Sequence, residues 1–220
     1  MELLYTAHVP DGDGPHPTVL LLHGWGASAH DLIGLAPILH GGRALVVCPQ
    51  GPLAFQAGPG QVGYGWFPLT QGGPPDPQAI EAALDQVLRF RDQAFERYPV
   101  DPHKVVMAGF SQGGFMAYLL ALRDPARYAG LLAMSSWLPQ QLLAGVERTP
   151  DHEALPALVV HGSDDPMIGI DRAYASRDAL LALGVPTTFR EYAMGHEIRP
   201  EALREMIAWL EEKVFSPVAV

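Results

Sequence analysis

The sequence predicts an α/β architecture: a mostly parallel, doubly wound sheet with helices on both faces. Three observations carry that expectation. Apolar runs at 19–23, 44–49, 105–110, 131–135 and 158–161 are rich in Val, Leu and Ala without polar alternation, as expected of strands covered on both faces. Helix-compatible stretches at 31–39, 77–98, 112–122, 172–183 and 201–214 alternate with the strand-like runs, and such alternation places a parallel sheet between helical layers. The chain has 220 residues, 48% hydrophobic and 17% charged, with no internal repeat and no long linker. A single domain over 1–220 is therefore expected, large enough to bury a substantial core.

Run 3–8 reads as the first strand and 19–23 as the second, which leaves through His23-Gly24-Trp25-Gly26. A glycine-flanked turn there can present the Trp25 backbone N–H, with the indole free to form part of an acyl pocket. The next run, 44–49, holds Cys48, the sole cysteine. No intrachain disulfide can form, and the thiol reads as buried and inert. Segment 51–75 is dense in Gly and Pro yet carries Phe55, Tyr64, Trp66 and Phe67. A flexible spacer does not need those aromatics, so it reads as a folded surface loop lining something apolar.

After the helix at 77–98, strand 105–110 runs into Gly109-Phe110-Ser111-Gln112-Gly113 and then a helix. That is a serine on a strand-to-helix turn, where small neighbours let the chain bend sharply and the hydroxyl project from the sheet's end. Segment 136–156 is short, so any cap is small and the site open. Strand 158–161 leads into Gly162-Ser163-Asp164-Asp165-Pro166, and strand 187–192 into Ala193-Met194-Gly195-His196-Glu197 before the last helix. Catalytic groups in such sheets gather at the carboxyl ends of the strands. Asp165 is preferred to Asp164 because Pro166 fixes the backbone as the chain leaves the strand. The order Ser111, Asp165, His196 then matches a nucleophile, an orienting acid and a base. The N–H groups of Trp25 and Gln112 would hold the oxyanion. His23 and His161 each precede a glycine at a strand exit and read as structural, bonding loop backbone.

A formal net charge of -10 without a Lys/Arg cluster argues against nucleic acid as a partner. It also mildly disfavours acidic substrates at long range, an effect that a local pocket can override. No cofactor is needed, and no metal either, since no His/Cys cluster has ligand spacing. The N-terminus lacks a signal-peptide pattern and no apolar run reaches bilayer length, so a cytoplasmic protein without stable membrane insertion is expected.

Six separated segments carry a wider likeness: Leu22-His23-Gly24-Trp25-Gly26, Gly65-Trp66-Phe67, Gly109-Phe110-Ser111-Gln112-Gly113-Gly114, Ser136-Trp137-Leu138-Pro139, His161-Gly162-Ser163-Asp164-Asp165-Pro166 and Gly195-His196-Glu197. With them the chain resembles, over nearly its whole length, the phospholipase/carboxylesterase family of small α/β-hydrolases. That family includes bacterial carboxylesterases and acyl-protein thioesterases. The resemblance implies an α/β-hydrolase fold with minimal or no cap domain and a Ser111–Asp165–His196 triad. It also implies an oxyanion hole at Trp25 and Gln112, and an acyl groove bordered by Trp66, Trp137, Met167 and Ile168.

Two departures stand out: the position of Trp25 is often leucine, and Phe67 is often followed by Asp where this chain has Pro68. A bulky Trp25 would shorten or redirect the groove. The expected activity is hydrolysis of a small-molecule acyl ester or thioester, of short to medium chain, by a serine carboxylesterase. An acyl-protein thioesterase or a lysophospholipase-like hydrolase is the neighbouring alternative. A non-catalytic ligand-binding protein on the same scaffold is the alternative from another class, opposed by the presence of all three triad candidates. Aromatics around the groove are compatible with a homodimer.

Overall fold

The computed structural model describes residues 3–69 and 75–216. Nine strands form in chain order: β1 (Tyr5–His8), β2 (His16–Leu22), β3 (Leu45–Pro49), β4 (Leu53–Gly58), β5 (Gln61–Gly65), β6 (Val100–Phe110), β7 (Gly130–Met134), β8 (Ala157–Gly162) and β9 (Thr187–Tyr192). Seven of them build the central sheet in the order β1-β3-β2-β6-β7-β8-β9. Only β1 runs antiparallel, against β3; every other pairing in that sheet is parallel. The helices are α1 (Pro77–Arg97), α2 (Gln112–Arg123), α3 (Pro150–Ala154), α4 (Ile170–Ala182) and α5 (Pro200–Leu210).

The missing polar alternation has a direct explanation in packing. Along β2, Leu20 and Leu22 enter one apolar core with Val87 of α1, Leu119 of α2 and Leu180 of α4. Val19 and Leu21 enter the other, with Met206 and Trp209 of α5. Successive side chains of a strand point to opposite faces, so a sheet packed on both sides needs apolar residues at every position. Each such fully buried aliphatic side chain contributes roughly 1.5–3 kcal/mol. Cys48 faces the α5 side, and burial pushes its thiol up to about 12.

Three expected elements differ in detail. Residues 31–39 form no α-helix; two short 3-10 turns, Ile33–Leu35 and Leu39–Gly42, stand there instead. Gly34 and Pro37 lie inside the periodic stretch, one adding backbone entropy and the other removing a donor. Segment 51–75 is more ordered than a loop, because β4 and β5 pair as an antiparallel hairpin; residues 70–74 lie outside the described chain. The final helix ends as α at Leu210 and continues as a π-helical turn, Glu211–Phe215. Residues 136–156 contain only a 3-10 turn, Gln140–Leu143, and the five-residue α3. No described helix is long and apolar enough to cross a membrane.

Candidate active site

Ser111 follows β6, the middle strand of the sheet, and precedes α2. Its backbone lies at φ 54, ψ -118, a conformation that L-residues rarely adopt. Ser111 N–H donates to Met134 O at 2.9 Å. The Ser111 carbonyl accepts from Phe115 N at 3.0 Å and Ser136 Oγ at 2.7 Å. The turn closes because its neighbours lack side chains. A Cβ on Gly109 would sit 2.3 Å from the Gly113 backbone, and one on Gly113 would sit 2.1 Å from the Leu22 carbonyl oxygen. Although Ser111 occupies the N-cap position of α2, its hydroxyl makes no capping bond.

That hydroxyl meets the imidazole of His196 instead, with Oγ and Nε2 2.9 Å apart. On the far side of the ring, Nδ1 lies 2.7 Å from Asp165 Oδ2. The other carboxylate oxygen of Asp165 accepts the N–H groups of Met167 at 2.8 Å and Ile168 at 2.9 Å. Burial opposes ionisation of Asp165, but the bonds from Ile168, His196 and Met167 outweigh it and hold the carboxyl below its usual range. The Asp165 side chain is fully buried while that of His196 keeps 12% exposure, so water reaches the imidazole but not the acid. The three groups come from the ends of β6, β8 and β9. Asp164 is exposed.

Among the strand-end histidines outside the relay, His23 and His161 hold backbone. His23 Nε2 accepts Gly51 N–H at 2.9 Å, which leaves Nδ1–H to donate to Gly24 O at 2.7 Å. His161 Nε2–H donates to Ile168 O at 2.8 Å, and its ring lies 3.6 Å from Asp165 Oδ2. Burial lowers the pKa of both, keeping them neutral. His161 therefore bonds loop backbone, as its place at a strand exit predicts, and through Ile168 steadies the loop that orients Asp165.

The His23-Gly24-Trp25 turn touches the elbow. A Cβ on Gly24 would lie 3.2 Å from Ser111 Cβ. Among the described residues the Trp25 N–H has no acceptor. Gln112 opens α2, where first-turn N–H groups have no intrahelical acceptor. The Gln112 side chain has a role that sequence reading missed. Its Oε1 accepts Trp66 N–H at 2.9 Å and its Nε2 donates to Phe67 O at 2.7 Å, tying the end of the hairpin to the serine elbow.

The four residues expected around an acyl groove do not share one surface. Met167 is 69% exposed, and Trp137 is half-buried with its ring edge-on to Phe115. Trp66 is buried in the core, its indole N–H donating to His23 O at 2.9 Å. Ile168 is also buried, and its backbone serves Asp165 and His161. Aromatic density in a Gly/Pro-rich segment predicted lining residues; Trp66, just beyond β5, is instead held inward with its backbone N–H on the Gln112 side chain and its indole N–H on His23 O. The Trp25 ring stacks on Phe55, centroids 4.2 Å apart, and lies directly over Gly65.

A nearly all-parallel sheet, helices on both faces and a serine turn at its middle strand define an α/β-hydrolase, a carboxylic ester hydrolase by class. The chain belongs to the phospholipase/carboxylesterase family, whose profile it matches over residues 6–214. It is 28% identical to acyl-protein thioesterase 1 of Gibberella zeae, over 90% of each chain. It is 30% identical to a probable SOBER1-like carboxylesterase of Arabidopsis thaliana, over 71% of this chain and 62% of that protein. Among solved structures, esterase PE8 superposes with a TM-score of 0.82 at 26% identity, covering 97% of this chain and 100% of the other. The Bacillus cereus carboxylesterase shares the fold with a TM-score of 0.81 at 20% identity, over 96% and 94% of the two chains.

Proposed function

We propose that this protein is a serine carboxylesterase for short- to medium-chain acyl esters, thioesters included, with Ser111 as nucleophile, His196 as base and Asp165 as orienting acid. The observation that carries the reading is the unbroken relay from Ser111 Oγ through the imidazole to Asp165, 2.9 Å and 2.7 Å per step. Ser111 Oγ attacks the acyl carbonyl while His196 Nε2 takes its proton. Asp165 fixes the tautomer with Nδ1 protonated and stabilises the imidazolium that forms. The tetrahedral oxyanion is met by the N–H groups of Trp25 and Gln112, each worth on the order of 3 kcal/mol of barrier. His196 then returns the proton to the leaving alcohol or thiol. Water repeats the attack on the acyl-enzyme with the same base.

The short chain length rests on Trp25, whose ring is held against the β4–β5 hairpin beside the oxyanion turn. In the family resemblance this position is often the smaller leucine, so an extended acyl chain has less room here. A homodimer and a cytoplasmic setting fit the reading and are proposed with it.

Ser111→Ala tests the nucleophile. Turnover of nitrophenyl butyrate is expected to fall at least about 10⁴-fold, with far-ultraviolet circular dichroism unchanged. Turnover retained within tenfold of wild type would assign the nucleophile elsewhere.

A further inference from the structure

Beside Trp137 a depression of about 230 Å³ is lined by Leu138, Gln140, Gln141, Arg172 and Ala175. Its chemistry is cationic and amide-rich. The Arg172 guanidinium carbon stands 4.2 Å over the Trp137 ring centroid. Arg123, Arg148 and Arg190 each hold a carboxylate at 2.7 Å. Arg172, by contrast, has no side-chain hydrogen bond and no ion pair among the described residues. The contact with Trp137 restrains the guanidinium and leaves its N–H groups without a side-chain or main-chain acceptor among the described residues. A planar fork held in this way suits a carboxylate or a phosphate.

The lining of the depression is connected to the serine elbow. Trp137 directly follows Ser136, whose hydroxyl donates to the Ser111 carbonyl. The Trp137 ring packs on Phe115, four residues beyond Ser111. Arg172 lies in the first turn of α4, the helix that follows the Asp165 loop. Through these contacts the stacked guanidinium is tied to the segments that carry Ser111 and Asp165. The net charge of -10 repels anions at long range, so an unpaired cation beside the site acts locally, selecting an anionic group once the substrate is docked.

We infer that Arg172, stacked on Trp137, is a specificity residue that binds an anionic group, carboxylate or phosphate, carried by the ester substrate. The inference rests on the esterase reading above and names the chemical class of its substrate.

The test compares charged and neutral esters within each protein. One arm uses nitrophenyl monoesters of glutaric, adipic and suberic acids against their neutral methyl-ester counterparts, which places the anion on the acyl side. The second uses butyrate esters of a phosphorylated phenol against the unphosphorylated phenol, which places it on the leaving group. In at least one arm, the charged-to-neutral ratio of kcat/KM is expected to fall about tenfold in Arg172→Leu, through KM, and further in Arg172→Glu. The arm that responds identifies which side of the ester carries the anion. Ratios within twofold of wild type for both variants in both arms would overturn the inference. Should Arg172→Leu fail to fold, Arg172→Gln keeps a planar group over Trp137 and gives the same readout. Absence of neutral-ester turnover in the wild type would sink the esterase reading itself, so the two failures are separable.

Discussion

The serine elbow and the outer part of the β4–β5 hairpin differ in how closely they are packed. At the elbow, tolerance is measured in tenths of an ångström. Gly109 and Gly113 are pressed against neighbouring backbone, and α2 is buried along its whole length to Leu122. The hairpin alternates exposed and half-buried residues along β4, and Val62 at its far end is 58% exposed. Its inner strand β5 is fastened to the body by the Gln112 side chain, by the Trp25–Phe55 stack and by two backbone bonds, Gly26 N–H to Tyr64 O and Tyr64 N–H to Ala27 O, with Gly63 and Gly65 seated as closely as the glycines of the elbow. The elbow is thus fixed by backbone packing, while β4 and the tip of the hairpin carry exposed side chains that can vary at little cost to the fold.

The contrast can be broken most forcefully at Gly113. A methyl group there meets the Leu22 carbonyl at 2.1 Å, so Gly113→Ala is expected to destabilise by roughly 3 kcal/mol, about 10 °C in melting temperature for a chain of this size. Val62→Ala on the hairpin is expected to stay within about 0.5 kcal/mol. Equal losses in thermal denaturation would erase the distinction.

Acidity probes the same rigid region from within. His23 and His161 have pKa values lowered by burial, below the unfolded value of about 6.5. Between the folded and unfolded values the unfolded chain binds more protons, so stability there rises with pH. Their contribution is intact above about pH 6.5 and is lost as the pH falls through the folded values. Urea midpoints are expected to decline below that pH, and less so in His161→Gln. A midpoint flat from pH 7 down to pH 5 would contradict the buried-neutral assignment.

The smallest expected effect is one of selectivity. Trp25→Leu frees the face of Phe55 and the space over Gly65, so the octanoate-to-butyrate ratio of kcat/KM is expected to rise roughly tenfold. An unchanged chain-length profile would detach Trp25 from acyl selection.

Much of the rigid region was legible in the sequence, because its determinants are local. Unbroken Val/Leu runs report a sheet covered twice, and small residues around Ser111 report a turn that nothing larger can make. The placing of Asp165 and His196 followed from strand ends and chain order. What escaped depends on contacts between distant segments. Residues 31–39 have helical periodicity, but Gly34 and Pro37 reduce it to 3-10 turns. Trp66 carries no mark that distinguishes a lining ring from a core ring, since a bond between its own backbone and Gln112 decides the matter. Arg172 looks like any solvated helix cation until Trp137 is found beneath it.

The relay joins residues 85 positions apart, and its last member follows the final strand of the sheet. On the proposed roles, a ribosome-bound chain that has emerged only through β8 contains the serine but not its base. Activity is then expected only once the chain through His196 has emerged and β9 has docked along β8. Ester turnover in a translation mixture would then time the completion of the sheet.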